Sequence, residues 1–415
     1  MIQRQVKNIV LGALDVFRII YIDGARQTGK TTFVKQLSES KKYNYVTFDD
    51  DEILNLSEIN LNLFFIQNPT PLIIDEVQKN PKIINKIKML VDNNPEIKGQ
   101  FILTGSVDLL KSAQINESLA GRMVSYELYP FSFTELDNLN LNLTEILFQD
   151  NFFDNFKDIK RKNESDVITK LVQGSFPEVQ IIDEKYRNKW FANYLKARIN
   201  KDIHSLIENN LRKVEKIPEL LKLLSNQTSN LLNVSKLASK LKISPVTVDN
   251  FIYLLEAMFL IEKLQPFEKN IGKQVKKTKK LYFTDTGLVS YLSKISEQKL
   301  MTNRQLFGQL LENYIYNELK KHISFSANNF EIFYYRDNKT YEVDFIIKNN
   351  KDEIIAIEVK SSQRVTEKDL KGLRSFKRGF EDKIKAMYVF YAGDIISAVK
   401  IDNSMVYLIP YYYIF

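Results

Sequence analysis

"IIYIDGARQTGKTTF", Ile19 to Phe33, decides how the first third of this chain folds. A β-branched run ends at Asp23, a short loop bounded by Gly24 and Gly29 follows, and Lys30 opens a helix-compatible stretch. Gly24, Gly29, Lys30 and Thr31 fit the pattern G-x-x-x-x-G-K-[ST] in the strand–loop–helix setting that it requires. Glycines at those places let backbone N–H groups turn inward on phosphate, and the helix N-terminus behind them adds its positive end. The expected nucleotide cradle is Gly24, Ala25, Arg26, Gln27, Thr28, Gly29, Lys30, Thr31 and Thr32. Lys30 would reach the β- and γ-phosphates of ATP, and the Thr31 hydroxyl would ligate Mg²⁺.

The stretch that should work with this loop is "PLIIDEVQ", Pro71 to Gln78, an apolar strand ending in two acids. Asp75 is placed to hold the metal through water, and Glu76 to orient or deprotonate an attacking water. A third strand, in "GQFILTGSVDLL", ends in Thr104 and Ser106, which would sense the γ-phosphate or hold the water. "SLAGRMVSYELYPFSFTEL" follows, and in it Arg122 is either a charge stabiliser, in its own subunit or reaching a neighbour's site, or a structural arginine. Arg26 has the same ambiguity.

Together "GARQTGKTT", "LIIDEVQ", "ILTGS" and "LAGRMVSYELYPFSFTEL" resemble the AAA-like ATPases that are fused to a domain of unknown function, DUF4143. The resemblance implies a P-loop ATPase core with the roles given above. The sequence departs from the family pattern after the third strand, where Val107 replaces a second serine, so the sensing role rests on Thr104 and Ser106. Further on, "LVQGSFPEV" and "WFANYLKARINKDIHSL" resemble the joint where the ATPase meets DUF4143, and "KKLYFTDTGLVSYL" and "GQLLENYIYNELKK" continue the resemblance to DUF4143. Asp202 matches an acidic residue that the family carries after a helix, beside Arg198.

Composition bounds what else the chain can do. At 415 residues it is too long for one core, and 44% hydrophobic with 27% charged residues is ordinary for a globular protein. No apolar run is long enough to cross a bilayer, and the N-terminus reads as no export signal, so a cytoplasmic protein without a membrane role is expected. With no cysteine and only His204 and His322, any metal must be a hard cation held by oxygen. The net charge of +8 suits a polyanionic partner, and it is concentrated. Seven lysines and one glutamate lie between Lys263 and Lys280. This segment either touches nucleic-acid phosphates or is a solvated loop.

"LLNVSKLASKLKISPVTVDNFIYLLEAMFLIEKL" reads as a helix-turn-helix, with Ser244 capping the second helix and Pro245 at its first position. Val234, Leu237, Leu241, Val246, Leu254 and Leu255 are the expected core. The outward residues Thr247, Asp249, Asn250 and Glu256 are not those of a major-groove reader, so the lysines are better placed to meet phosphate.

In "YEVDFIIKNNKDEIIAIEVKSS", Tyr341 to Ser362, Asp344 lies on one strand and Glu358-x-Lys360 on the next. This is the spacing of the PD-(D/E)xK nuclease-like fold, which the resemblance also implies for this region. Glu312, near the start of an amphipathic helix, completes the set. Asp344 and Glu358 would hold one Mg²⁺ or Mn²⁺, and Lys360 would steady a water or developing charge. The same charges could instead form a structural cluster, since buried charges must be paired.

The expected fold is α/β and multidomain. Residues 1–135 would be the ATPase core, 136–228 a helical lid or linker, 229–282 winged-helix-like and 283–415 the nuclease-like domain. The expected activity is ATP hydrolysis coupled to a nuclease-like domain that acts on or binds DNA. The alternative is an ATP-dependent switch whose C-terminal domain binds protein or DNA without cleavage. A homo-oligomer or a protein partner fits either.

Overall fold

The computed structural model describes residues 2–106, 119–157, 159–199, 213–337 and 341–415. Val107 and Asp202 lie outside the described residues. The chain divides into two compact units, one formed by residues 1–131 with short pieces at 176–178 and 254–260, the other by the remainder.

The first unit is built on a parallel sheet of five strands: β1 (Ile19–Asp23), β2 (Asn44–Thr47), β3 (Leu72–Asp75), β4 (Phe101–Thr104) and β5 (Met123–Glu127). Their order is β2-β3-β4-β1-β5. Every residue of β1, β3 and β4 is buried, as expected of central parallel strands covered on both faces. Helix α1 (Lys30–Lys41) follows β1, and α2 (Ile83–Asn93) follows β3. Ile83, Ile84, Ile87 and Val91 of α2 pack with Ile19, Tyr21, Ile74 and Leu103 of the sheet. Their spacing of three and four puts these α2 residues on one stripe. With β3, β4 and β1 adjacent, their carboxyl ends gather Asp75, Thr104 and the Gly24 loop, the usual place for ligands on such sheets.

In the second unit, α3 (Ile217–Ser225) precedes β6 (Asn230–Leu231), α4 (Val234–Leu241) and α5 (Pro245–Ala257), whose last four residues are counted with the first unit. Strands β7 (Ile261–Leu264) and β8 (Lys280–Phe283) complete an antiparallel sheet of order β6-β8-β7. This is winged-helix connectivity. Lys242 turns the chain in the left-handed region, and Ser244 Oγ accepts from Thr247 N at 3.1 Å, capping α5. Leu237 and Leu241 are buried as expected, but Val246 is 68% exposed. Because α5 begins at Pro245, its buried stripe runs through Val248, Phe251, Ile252 and Leu255, and Val246 falls outside that phase.

Helices α6 (Thr286–Leu292) and α7 (Arg304–Ser324) lead to a mixed sheet of order β13-β14-β12-β11-β10-β9. Its strands are β9 (Phe330–Arg336), β10 (Glu342–Asn349), β11 (Ile354–Val359), β12 (Ile384–Tyr391), β13 (Ser397–Ile401) and β14 (Ser404–Pro410). Helix α8 (Lys371–Phe380) joins β11 to β12, which run parallel. Leu373 and Phe376 of α8 pack on Val343, Ala356 and Val389. Gln265 O and Phe267 N bond to the main chain of Tyr334, so the segment after β7 is stitched to β9. Among the described residues no helix is long and apolar enough to cross a membrane.

Helix α8 sits so close to β10 that a Cβ on Gly372 would lie 1.8 Å from the Glu342 carbonyl oxygen. Gly372→Ala should therefore force the helix off the strand and cost about 1–3 kcal/mol, seen as a lower denaturation midpoint. An unchanged midpoint would mean that this approach is not required.

Candidate functional site

The loop after β1 takes the shape its glycines permit. Gly24 and Gly29 have φ of 130° and 94°, and a Cβ on Gly24 would fall 2.5 Å from Leu128 O. Gln27 also adopts a left-handed conformation. Thr28 Oγ1 donates to Ala25 O at 2.9 Å, while Arg4 braces the loop from outside by donating to Thr28 O at 2.9 Å. Lys30 Nζ donates to Gly24 O at 2.9 Å and Ala25 O at 2.8 Å, so its ammonium spans the concave side of the loop. Thr31 and Thr32 are exposed in the first turn of α1, where helix N–H groups have no intrahelical acceptor. Half-buried Arg26 completes the loop.

Asp75 organises the next layer. Its Oδ2 accepts from Thr31 Oγ1 at 2.7 Å and from Tyr45 OH at 2.9 Å, and its Oδ1 accepts from Thr104 Oγ1. Burial and the Asp75 charge raise the Tyr45 phenol, keeping it a donor. Glu76 is left-handed, with its N–H bonded to Thr104 Oγ1 at 3.0 Å. Its Oε2 accepts from Gln78 Nε2 and from Ser106 Oγ, the latter at 3.1 Å. The structure thus brings together Lys30, Thr31, Asp75, Glu76, Thr104 and Ser106. Tyr45 and Gln78 join them: Tyr45 lies in no motif, and Gln78 closes the PLIIDEVQ stretch, where the two acids alone carry an expected role. These donors fit a nucleotide with its magnesium ion: a cationic loop for phosphate, and a hydroxyl and carboxylate already in contact for a hard cation.

Arg122 is not part of this group. It immediately precedes β5, whose Met123 pairs with Ile19 at the start of β1, whereas the loop follows the end of β1. The separation along the strand is roughly 15 Å. There Arg122 forms two bonds to Asp92, Nε to Oδ1 at 2.6 Å and Nη2 to Oδ2 at 2.9 Å. A stabilising role in its own subunit's nucleotide site is therefore corrected: strand direction puts it at the other end of the sheet. To reach a neighbour's site it would first have to release Asp92.

The second cluster lies in the other unit. Phe345 faces Ile357 across β10 and β11, which sets Asp344 beside Glu358. Asp344 Oδ2 accepts from Val359 N at 2.9 Å. Lys360 lies just beyond β11 and its ammonium bonds to Glu358 Oε1. Glu358 Oε2 is buried with no hydrogen-bond partner among the described residues. Glu312 Oε1 accepts from Tyr282 OH at 2.7 Å and from Lys280 Nζ at 2.9 Å.

Lys280 is the unforeseen member. It belongs to the lysine-rich segment assigned to phosphate, yet its side chain is only 3% exposed and pairs with Glu312, Glu342 and Asp344. This corrects its expected place on a nucleic-acid surface. Its partners are 32 to 64 residues away, a distance no motif spans. Lys277 pairs with Glu268, and Lys269 lies over the Phe380 ring at 5.0 Å. Burial depresses the Lys280 ammonium, but Glu312, Tyr282, Asp344 and Glu342 reverse this and hold it well above the usual lysine range. Burial pushes Glu312 up to about 7 against the pull of Lys280. Burial and then Asp344 raise Glu358 well above the carboxylate range, opposed by Lys360. Among the described residues no group of three or more Asp, Glu or His is placed to hold a metal ion. As arranged, Asp344 and Glu358 do not fit a shared divalent cation, because Lys280 already engages Asp344.

Residues 16–137 match the AAA domain family, 164–299 a domain of unknown function, DUF8612, and 307–414 the domain of unknown function DUF4143. Leu171–Val179, which resembles the joint between the ATPase and DUF4143, and Lys279–Leu292, which resembles DUF4143 itself, thus fall within the DUF8612 match. An uncharacterized protein of Methanocaldococcus jannaschii is 25% identical over 95% of this chain and 87% of its own length. An uncharacterized protein of Mycobacterium tuberculosis is 21% identical over 80% of this chain and 67% of its own. Among solved structures, the Walker-type ATPase of Pyrococcus abyssi has 14% identity and a TM-score of 0.43, covering 70% of this chain and 96% of that one. The chain carries an AAA-type P-loop ATPase domain followed, at its C-terminal side, by a DUF4143 domain.

Proposed function

We propose that this protein binds and hydrolyses ATP with Mg²⁺ and couples the cycle to a nuclease-like C-terminal domain that acts on or binds nucleic acid. The observation that carries the first half is the contact of Asp75 with both Thr31 and Thr104, beside the Lys30 loop. Lys30 would leave the loop carbonyls for the β- and γ-phosphates, a stronger acceptor for its charge. Thr31 and Asp75 would hold the magnesium ion, which neutralises phosphate charge. Glu76, steadied by Gln78 and Ser106, would accept a proton from the attacking water or orient it. Thr104, bridging Asp75 and the Glu76 N–H, would register whether the γ-phosphate is present.

The nuclease-like half is supported by connectivity. Helix α7, strands β9, β10 and β11, helix α8 and strand β12 follow one another in the order of a PD-(D/E)xK core, with Asp344 and Glu358 side by side. A second reading, ATP-dependent binding of DNA or protein without cleavage, is favoured by Lys280 among the acids.

Lys30→Ala should abolish ATP binding or turnover in a folded protein, measured by nucleotide titration and phosphate release. Glu76→Gln should keep binding and lower kcat by about 10²- to 10⁴-fold, the usual loss with a general base. If Glu76→Gln weakens ATP affinity as strongly as Lys30→Ala does, this division of labour is wrong.

Nucleic-acid affinity, if it rests on the lysine segment, should fall with salt and ignore sequence. Lys269→Gln combined with Lys279→Gln should flatten the salt slope by up to about two charges. Absence of DNA binding at about 50 mM salt would favour a protein partner. Plasmid or single-stranded DNA incubated with ATP and Mn²⁺ separates the two readings: fragments support cleavage, and ATP-dependent retention of intact DNA supports binding alone.

A further inference from the structure

Lys280 is brought to the acid cluster by the wing, the β7–β8 hairpin, not by the sheet that carries Glu342, Asp344 and Glu358. It opens β8, where its own neighbours Leu281, Tyr282 and Phe283 offer no carboxylate. Glu312 comes from α7, and Glu342 and Asp344 from β10. The strand is clasped in place. Asn313 of α7 accepts from Phe283 N at 2.9 Å and donates to Phe283 O at 2.8 Å, while Tyr282 OH holds Glu312. The position of Lys280 is thus fixed by contacts of the residues that follow it along β8.

The acids beside it retain capacity for positive charge. The Glu358 side chain is 8% exposed; one of its oxygens meets Lys360 and the other, Oε2, has no partner among the described residues. A buried oxygen without a donor is costly, so its persistence points to a group that the cluster can accept. A hard divalent cation and an ammonium seek the same carboxylate oxygens. The metal needs both carboxylates drawn in to about 2.1 Å, and Asp344 Oδ1 is already engaged by Lys280.

We propose that Lys280 selects the charge this centre holds: a tethered ammonium takes the place of a divalent cation and keeps Asp344 and Glu358 from sharing one. This rests on reading Asp344 and Glu358 as the acid pair of a PD-(D/E)xK plan. Removing the ammonium should turn the cluster into a metal site.

The test uses the full-length protein and Mn²⁺ alone, with melting temperature and calorimetric titration as readouts. The parent is expected to show no shift at about 1 mM Mn²⁺, and Lys280→Met a clear rise by mass action. Adding Asp344→Asn to Lys280→Met should remove that rise, and Lys280→Arg should behave as the parent. Mn²⁺ binding by the parent that is as tight as in Lys280→Met and lost with Asp344→Asn overturns the role of Lys280 and leaves the acid pair standing. Absence of binding in both overturns the proposal together with the acid-pair reading. Should Lys280→Met fail to fold, Glu342→Gln loosens the lysine while sparing both acids. It is expected to bind Mn²⁺ about tenfold or more tighter than the parent, and unchanged affinity there overturns the proposal.

Discussion

A carboxylate taken out of water must be met by donors, and the nucleotide site and the acid cluster are each organised around one such group. Asp75 is met by three hydroxyls, those of Thr31, Tyr45 and Thr104. Hydroxyls satisfy its lone pairs without cancelling its charge, so the centre is prepared for a cation. Asp344 is met by the Val359 amide and the Lys280 ammonium. There a full positive charge is already present. The same residue type, at the end of one strand and near the start of another, is thus set up for opposite tasks by the kind of donor that surrounds it.

What the sequence discloses follows from how local each contact is. The loop from Gly24 to Thr31 is legible because eight neighbouring residues define its shape and its chemistry together. Asp75 and Thr104 are legible one step further, since buried parallel strands end in polar residues where a ligand sits. Arg122 illustrates the limit. Its neighbours in sequence say that it follows a loop and precedes a strand, but not which end of the sheet that is; the parallel pairing of Ile19 with Met123 decides it. Val246 fails for a related reason: two residues before Val248, it falls on the side of the helix opposite the buried stripe. Lys280 was illegible in principle. Nothing in a run of lysines distinguishes the one that turns inward, and its three partners come from α7 and β10.

That inward turn changes the meaning of the basic segment. Counted along the chain, Lys263 to Lys280 holds most of the net positive charge. Counted in space, Lys280 is consumed by acids and Lys277 meets Glu268, whereas exposed Lys269, over an aromatic ring, keeps its charge. Charge that is paired inside the fold contributes little to the release of counterions from a polyanion. Exposed Asp249 and Asn250 on α5 add none. The electrostatic case for a nucleic-acid surface is therefore smaller than composition suggests.

The acid cluster itself has more negative than positive groups. Glu312, Glu342, Asp344 and Glu358 are four carboxyl groups, set against Lys280, Lys360 and the Arg336 guanidinium, which lies 3.9 Å from Glu342. Were all seven ionised, an excess of negative charge would remain in a poorly solvated place, which is expensive. The upward shifts of Glu312 and Glu358 answer this, because taking up protons removes the excess without any further partner. Proton, lysine and metal are then alternative ways of balancing the same oxygens. Which of them prevails is decided less by the acids, which a nuclease-like site would also have, than by the lysine that the wing delivers to them.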